Sequence, residues 1–216
     1  MFEGFSAETV DFLWGIRFNN NREWFTEHKK DYVNYLYTPI KELGKALFEP
    51  FSHEAGNILK VSRIYRDARR HYSVPYKESL WACIRKEGDW WSELPCLFFD
   101  IFPEGIRYGF VFWKPTVSYM EAFRKHIAAD EQAFLQCIED TQNKTGVPIT
   151  ADVYKRPKEA PSDALAPYFA WKGNICCTRE ESFGPEVFGP QLLARVEKLL
   201  EQLTPLYQYL NRIDNG

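Results

Sequence analysis

The sequence predicts an α+β fold: a mainly antiparallel central sheet with N-terminal and C-terminal helices packed on it. Three observations carry this. Helical spacing of apolar residues dominates positions 7–48 and returns after Pro115. Between them, residues 57–113 read as alternating or apolar runs punctuated by turn residues. Two of those runs, Cys96–Phe102 and 106–113, flank Pro103-Glu104-Gly105, a hairpin signal. The chain has 216 residues, 45% hydrophobic and 26% charged. That is enough apolar material to offset chain entropy, and a single domain over 1–216 is expected.

The elements follow in order. Ser6 is an N-cap for a helix over Ala7–Phe18, with Val10, Leu13 and Trp14 on one face. Asn19-Asn20-Asn21 forms a turn, and Asn21 caps a helix whose stripe is Trp24, Phe25, His28, Tyr32, Tyr35 and Leu36. Thr38-Pro39 restarts or kinks it, and helix continues to about Phe48. Leu59, Val61, Arg63, Tyr65 and Asp67 share one face of a strand. Residues 69–75 read as a loop and 80–85 as a second strand, followed by the hairpin. Ser118 and Glu121 form a capping box for helices over 119–129 and 130–141. Further strands are expected at 149–155 and 174–178, with a short helix at 164–171. A last helix follows Gly189-Pro190, with Pro205 breaking or kinking it.

Charge and motif content exclude several functions. Net charge is -3, which disfavours a nucleic-acid partner for the molecule as a whole. Residues 57–86 nevertheless carry +6, leaving -9 on the remainder. No P-loop, dinucleotide fingerprint or nucleophile elbow is present. The four histidines lack ligand spacing, so no metal is expected, and no cofactor is indicated. The five cysteines are scattered, without a CxxC pair, and read as reduced thiols; Cys176 and Cys177 are expected on opposite strand faces. No signal-like start and no membrane-length apolar stretch is visible, so a cytoplasmic protein without a membrane partner is expected. Nine of the 24 residues from 90 to 113 are aromatic. They read as strands packing a core, although Trp90 and Trp91 could stand exposed.

Three constellations remain. The first is Arg63, Arg66, Asp67 and Arg69 with Lys77. Planar guanidinium groups suit bidentate capture of phosphate or carboxylate, and an arginine on an apolar strand face needs an acidic partner or a ligand. Asp67 would orient an arginine or act as a base; a salt-bridge network tying sheet to helix is the competing reading. The second is Arg22, Glu23, Trp24 and His28, in which His28 is an acid/base candidate near neutral pH or a hydrogen-bonded histidine at the core edge. The third, 155–158 (KRPK), reads as a solvated loop, or as one closing over an anion held by the arginines.

These segments resemble a conserved bacterial family, domain of unknown function 2461. The resemblance rests on NNNREWF at 19–25 with His28, Lys29 and Tyr32. It rests also on Ile64-Tyr65-Arg66-Asp67-x-Arg69 with Pro75-Tyr76-Lys77. Gly109, Trp113, Pro115, Arg124 and Ile127, and then a K-x-P element at 155–157, extend it over roughly 2–210. Here the stretch before Pro75 is one residue shorter than the family pattern and lacks its two lysines, and Ser79 stands where a histidine is common. The resemblance implies a soluble, cytoplasmic α+β protein and a shared site of Arg22, Glu23, Arg66, Asp67 and Lys77.

The expected function is therefore binding of a small anionic ligand, phosphate- or carboxylate-bearing, with chemistry upon it open. Arg22, Arg63, Arg66, Arg69 and Lys77 are the ligand contacts. His28, Asp67 and Glu23 are the catalytic candidates. The alternative is a non-enzymatic interaction module for nucleic acid or a protein partner.

Overall fold

A computed structural model describes residues 2–67, 69, 73–88 and 90–213. In chain order the helices and strands begin with α1 (Ala7–Phe18), α2 (Arg22–Glu27) and α3 (Lys29–Asp31). A π-helical turn over Tyr32–Tyr37 leads into α4 (Thr38–Phe48). Strands β1 (Asn57–Val61), β2 (Leu80–Lys86), β3 (Cys96–Phe102) and β4 (Gly105–Phe112) follow. The rest is α5 (Val117–Ala129), α6 (Glu131–Thr145), β5 (Thr150–Val153), α7 (Ala166–Phe169), β6 (Trp171–Ser182) and α8 (Gln191–Asn211). The six strands form one antiparallel sheet in the order β1-β2-β3-β4-β6-β5, and the fold is α+β.

The chain divides into two compact units. The first comprises Met1–Ile84, Phe98–Tyr108 and Glu180–Glu197. Its core includes Phe12, Leu13, Ile16, Leu36, Ile40, Leu43 and Phe99, all buried. Helix α1 starts at Ser6, whose backbone N–H donates to the Thr9 hydroxyl. Its buried face is Thr9, Phe12, Leu13 and Ile16, whereas Val10 and Trp14 are only half-buried. The face is thus rotated from the expected one, because Phe12 packs on Trp24 and Tyr32. The missing side chain of Gly44 lets α4 close on the sheet: a Cβ there would stand 3.1 Å from that of Ala82 and 3.3 Å from Leu59. The helical run from 22 continues to Phe48 through the π-turn, with Pro39 in the first turn of α4, just where the wider turn ends.

The second unit comprises Arg85–Leu97, Gly109–Arg179 and Lys198–Gly216. Phe123 stacks on Trp171 at 5.8 Å and meets Phe134 edge-on at 5.6 Å. The N-cap of α5 is Thr116, which accepts from Tyr119 N; Ser118 only bonds the Thr116 hydroxyl, so the cap lies two residues before the expected one. Helix α8 runs through Pro205 without ending, because Leu206, Tyr207 and Leu210 are fully buried beyond it. Cys177 is buried and Cys176 half-buried, both as free thiols.

One strand ends early. β1 stops at Val61, and Ser62 makes the last rung, its N–H donating to the Trp81 carbonyl at 2.8 Å and its hydroxyl accepting from Trp81 N. Beyond it Ile64 is fully buried, while Arg63 and Tyr65 are exposed. The expected face of Leu59, Val61, Arg63, Tyr65 and Asp67 therefore does not form. The inward residues at this end are Ser62 and Ile64.

Candidate functional site

Beyond Ser62 the chain forms a second, shorter pairing. Tyr65 and Tyr76 make an antiparallel bridge; Arg66 N donates to Pro75 O at 2.8 Å and Lys77 N to Ile64 O at 2.7 Å. The asparagine turn before α2 holds this pairing in place. Asn20 Nδ2 donates to Tyr76 O at 3.1 Å and its Oδ1 accepts Tyr76 N at 3.0 Å, so one amide mimics a neighbouring strand. Phe25 then stacks on Tyr76 at 4.2 Å and meets Tyr65 edge-on at 5.7 Å. Asn19 caps the end of α1 and Asn21 accepts Trp24 N to start α2. Each asparagine of the triplet has its own backbone role.

The pairing delivers Arg66 and Lys77 to one cleft of about 410 Å³ in the first unit. Arg17 from α1 and Arg107 from β4 add two more cations, and Glu78, Asp100 and Glu180 oppose them. Arg17 is committed: its Nε donates to Glu78 at 2.7 Å and its terminal nitrogens to Glu104. Arg107 donates to Asp100 Oδ2 at 3.1 Å and stands 4.0 Å from Glu180. Among the described residues Arg66 and Lys77 form no ion pair. Lys77 Nζ donates to the Arg63 carbonyl at 2.7 Å. Burial, and then the adjacent Arg66 charge, hold its ammonium below the usual lysine value.

Asp100 is the other feature of this cleft. It sits in β3 and is only 7% exposed. Burial pushes its carboxyl up to about 6; Glu180 adds to this, while Arg107 and the neighbouring Ser79 pull the other way. Three shielded atoms of the wall, Arg66 Nε, Arg107 Nε and Asp100 Oδ1, have no hydrogen-bond partner. Buried polar atoms are otherwise almost always paired, so three together mark a wall with unused bonding capacity. Gly105 lets β4 approach β6 here: a Cβ on it would run into the Glu181 carbonyl.

The remaining sequence candidates lie elsewhere. Arg22 and Glu23 are exposed on α2, and neither lines this cleft. Arg63 is exposed, its backbone carbonyl serving Lys77. Asp67 pairs with Arg69, which donates through Nε at 3.0 Å and a terminal nitrogen at 2.9 Å; that arginine side chain is 89% exposed. His28 ends α2, stacks on Trp24 at 4.0 Å and holds its Nδ1 2.8 Å from the Trp24 carbonyl. It lines a second cleft of about 400 Å³ with Glu8, Asp11, Asp31, Phe12 and Tyr35. The run 155–158 is exposed, and Lys158 pairs with Glu121 at 3.3 Å. The expected loop at 69–75 falls partly on Arg70, His71 and Tyr72, which lie outside the described residues, as does the side chain of Trp91. Among the described residues no group of three or more histidines, cysteines or carboxylates is placed to hold a metal ion, and no helix is long and apolar enough to cross a membrane.

Sequence reasoning passed over Asp100 and Arg107. The signal was present: Asp100 is the one charged residue in CLFFDIF, and Arg107 the one in GIRYGFVF, on either side of a two-residue turn. A carboxylate inside an apolar strand requires a partner or a function.

The fold and the cleft define an α+β protein that gathers two cations, in no ion pair among the described residues, beside a buried carboxyl. The chain belongs to the family described as conserved hypothetical protein (DUF2461), whose model matches residues 8–209. Among curated proteins, none matches the chain.

Proposed function

We propose that this protein binds a small organic anion, phosphate- or carboxylate-bearing, in the cleft of the first unit. The observation that supports the reading is the charge accounting. Two of the four cations, Arg17 and Arg107, are tied to carboxylates, whereas among the described residues Arg66 and Lys77 face each other's charge without an ion pair. A bound anion relieves that repulsion and favours the charged form of Lys77. Guanidinium and ammonium groups at one point suit a phosphate or carboxylate group. Asp100 is the carboxyl placed to exchange a proton with such a ligand, since it changes charge near pH 6 in a water-poor wall.

Thermal unfolding in a titration of inorganic phosphate and simple carboxylates tests this, with Arg66→Ala and Lys77→Met alongside. At about 100 times the dissociation constant a ligand stabilises by ~2.7 kcal/mol, which is several degrees for a chain of this size. The expected result is a rise for the wild type that is lost in both variants. A flat response to every anion, or a rise unchanged in both variants, counts against the cleft.

A further inference from the structure

Resting on that reading, we infer that the ligand carries a hydroxyl group beside its anionic group, and that Asp100 reads the hydroxyl. The ligand class is then a phosphorylated or carboxylated polyol, or a hydroxy acid.

The argument is donor and acceptor accounting. Arg66 and Lys77 can only donate, so they recognise acceptor oxygens. Asp100 lines the same cleft; when ionised it can only accept, and Arg107 occupies Oδ2 alone. Its Oδ1 is shielded and has no partner. A simple anion would leave that oxygen unsatisfied and place a like charge near it. A donor attached to the anion satisfies Oδ1 while the anion meets the two cations. Hydroxyl fits better than ammonium. The Asp100 charge is already opposed by Arg107 at 3.1 Å, and the wall's four cations outnumber its three carboxylates, so an ammonium adds repulsion that a hydroxyl does not. The Ser79 hydroxyl, which donates to the Asp100 carboxyl, lines the same wall and keeps its lone pairs to accept from a polyol.

Calorimetric titration with three matched ligands decides the point: ethyl phosphate, 2-hydroxyethyl phosphate and 2-aminoethyl phosphate. They share the phosphate and differ at one terminal group. The expected result is 2-hydroxyethyl phosphate binding at least about tenfold tighter than ethyl phosphate, as a satisfied buried hydrogen bond warrants. The amine should gain no such advantage. In Asp100→Ala the hydroxyl preference should collapse to near unity while ethyl phosphate still binds. The wild-type ratio is decisive even if that variant fails to fold. Equal binding of the ethyl and hydroxyethyl ligands overturns the inference and leaves the anion site standing. A preference for the amine overturns it too, as does a hydroxyl preference that survives Asp100→Ala. If none of the three binds, the anion-binding reading falls and takes the inference with it.

Discussion

Asp100 couples its surroundings to pH in a defined direction. Its carboxyl stands at about 6 in the folded chain against an ordinary value of 3.8. Below about pH 4 it is protonated whether the chain is folded or not, and it contributes nothing to pH dependence. Between about 4 and 6 the folded chain holds a proton that the unfolded chain has released, so stability falls as pH rises. Above 6 the cost is constant, about 3 kcal/mol at 1.36 kcal/mol per pH unit. Asp100→Asn removes the titration. Denaturant unfolding of both proteins at pH 4.5 and 7 should show the wild type losing ground relative to the variant as pH rises. Parallel pH profiles would mean that the carboxyl is not held in its protonated form. A residue of this kind is hard to find from sequence, because its behaviour comes from neighbours on other elements: Arg107, Ser79 and Glu180. What was legible was only that a lone acid in an apolar strand is out of place.

At the scale of elements, the asparagine turn and the Tyr65–Tyr76 pairing depend on one another. Asn20 satisfies both backbone groups of Tyr76, and Lys77 is the next residue. Asn20→Ala leaves a partly buried N–H and C=O without partners, worth about 1–3 kcal/mol. Loss of about 2 kcal/mol by denaturant unfolding is expected, with weaker anion binding as Lys77 loses its support. A change below about 0.5 kcal/mol, the size of an ordinary surface substitution, would show that Phe25 stacking alone holds the pairing. Elements governed by local signals were legible in the sequence. Helix α1 has the expected bounds, and the hairpin turns at Pro103-Glu104 as its residues dictate. Elements governed by tertiary contacts were not. A period of two read Arg63 inward with Leu59 and Val61, but the ladder ends at Ser62 and Ile64 takes the interior. Pro205 looked like a stop, yet the buried residues beyond it carry α8 onward. Arg66 and Lys77 were readable as cations; their meeting in one cleft depends on a pairing between Tyr65 and Tyr76 that no local pattern encodes.

For the whole molecule, the same charges decide between a ligand cleft and a nucleic-acid surface. A basic window of +6 within a chain of net -3 invites both readings. Among the described residues, part of that charge is turned into the cleft or paired. Arg69 is neutralised by Asp67, and Arg66 and Lys77 line a cleft that also holds Glu78, Asp100 and Glu180. Non-specific nucleic-acid binding scales with the number of phosphates that cations can neutralise at once, and its affinity falls steeply with salt. With the cleft's cations set among three carboxylates and an acidic remainder, short single-stranded DNA or RNA should bind no tighter than about 10⁻⁴ M at physiological salt. Fluorescence anisotropy over a range of salt concentrations measures this directly. Micromolar binding with a log–log salt slope steeper than about -3 would require several simultaneous phosphate contacts. The chain's basic residues would then be acting together across an open surface, and the cleft would be incidental to them. Binding of a small hydroxylated anion with a shallow salt slope is the opposite outcome. It is the one expected where two cations, not a field, do the recognition.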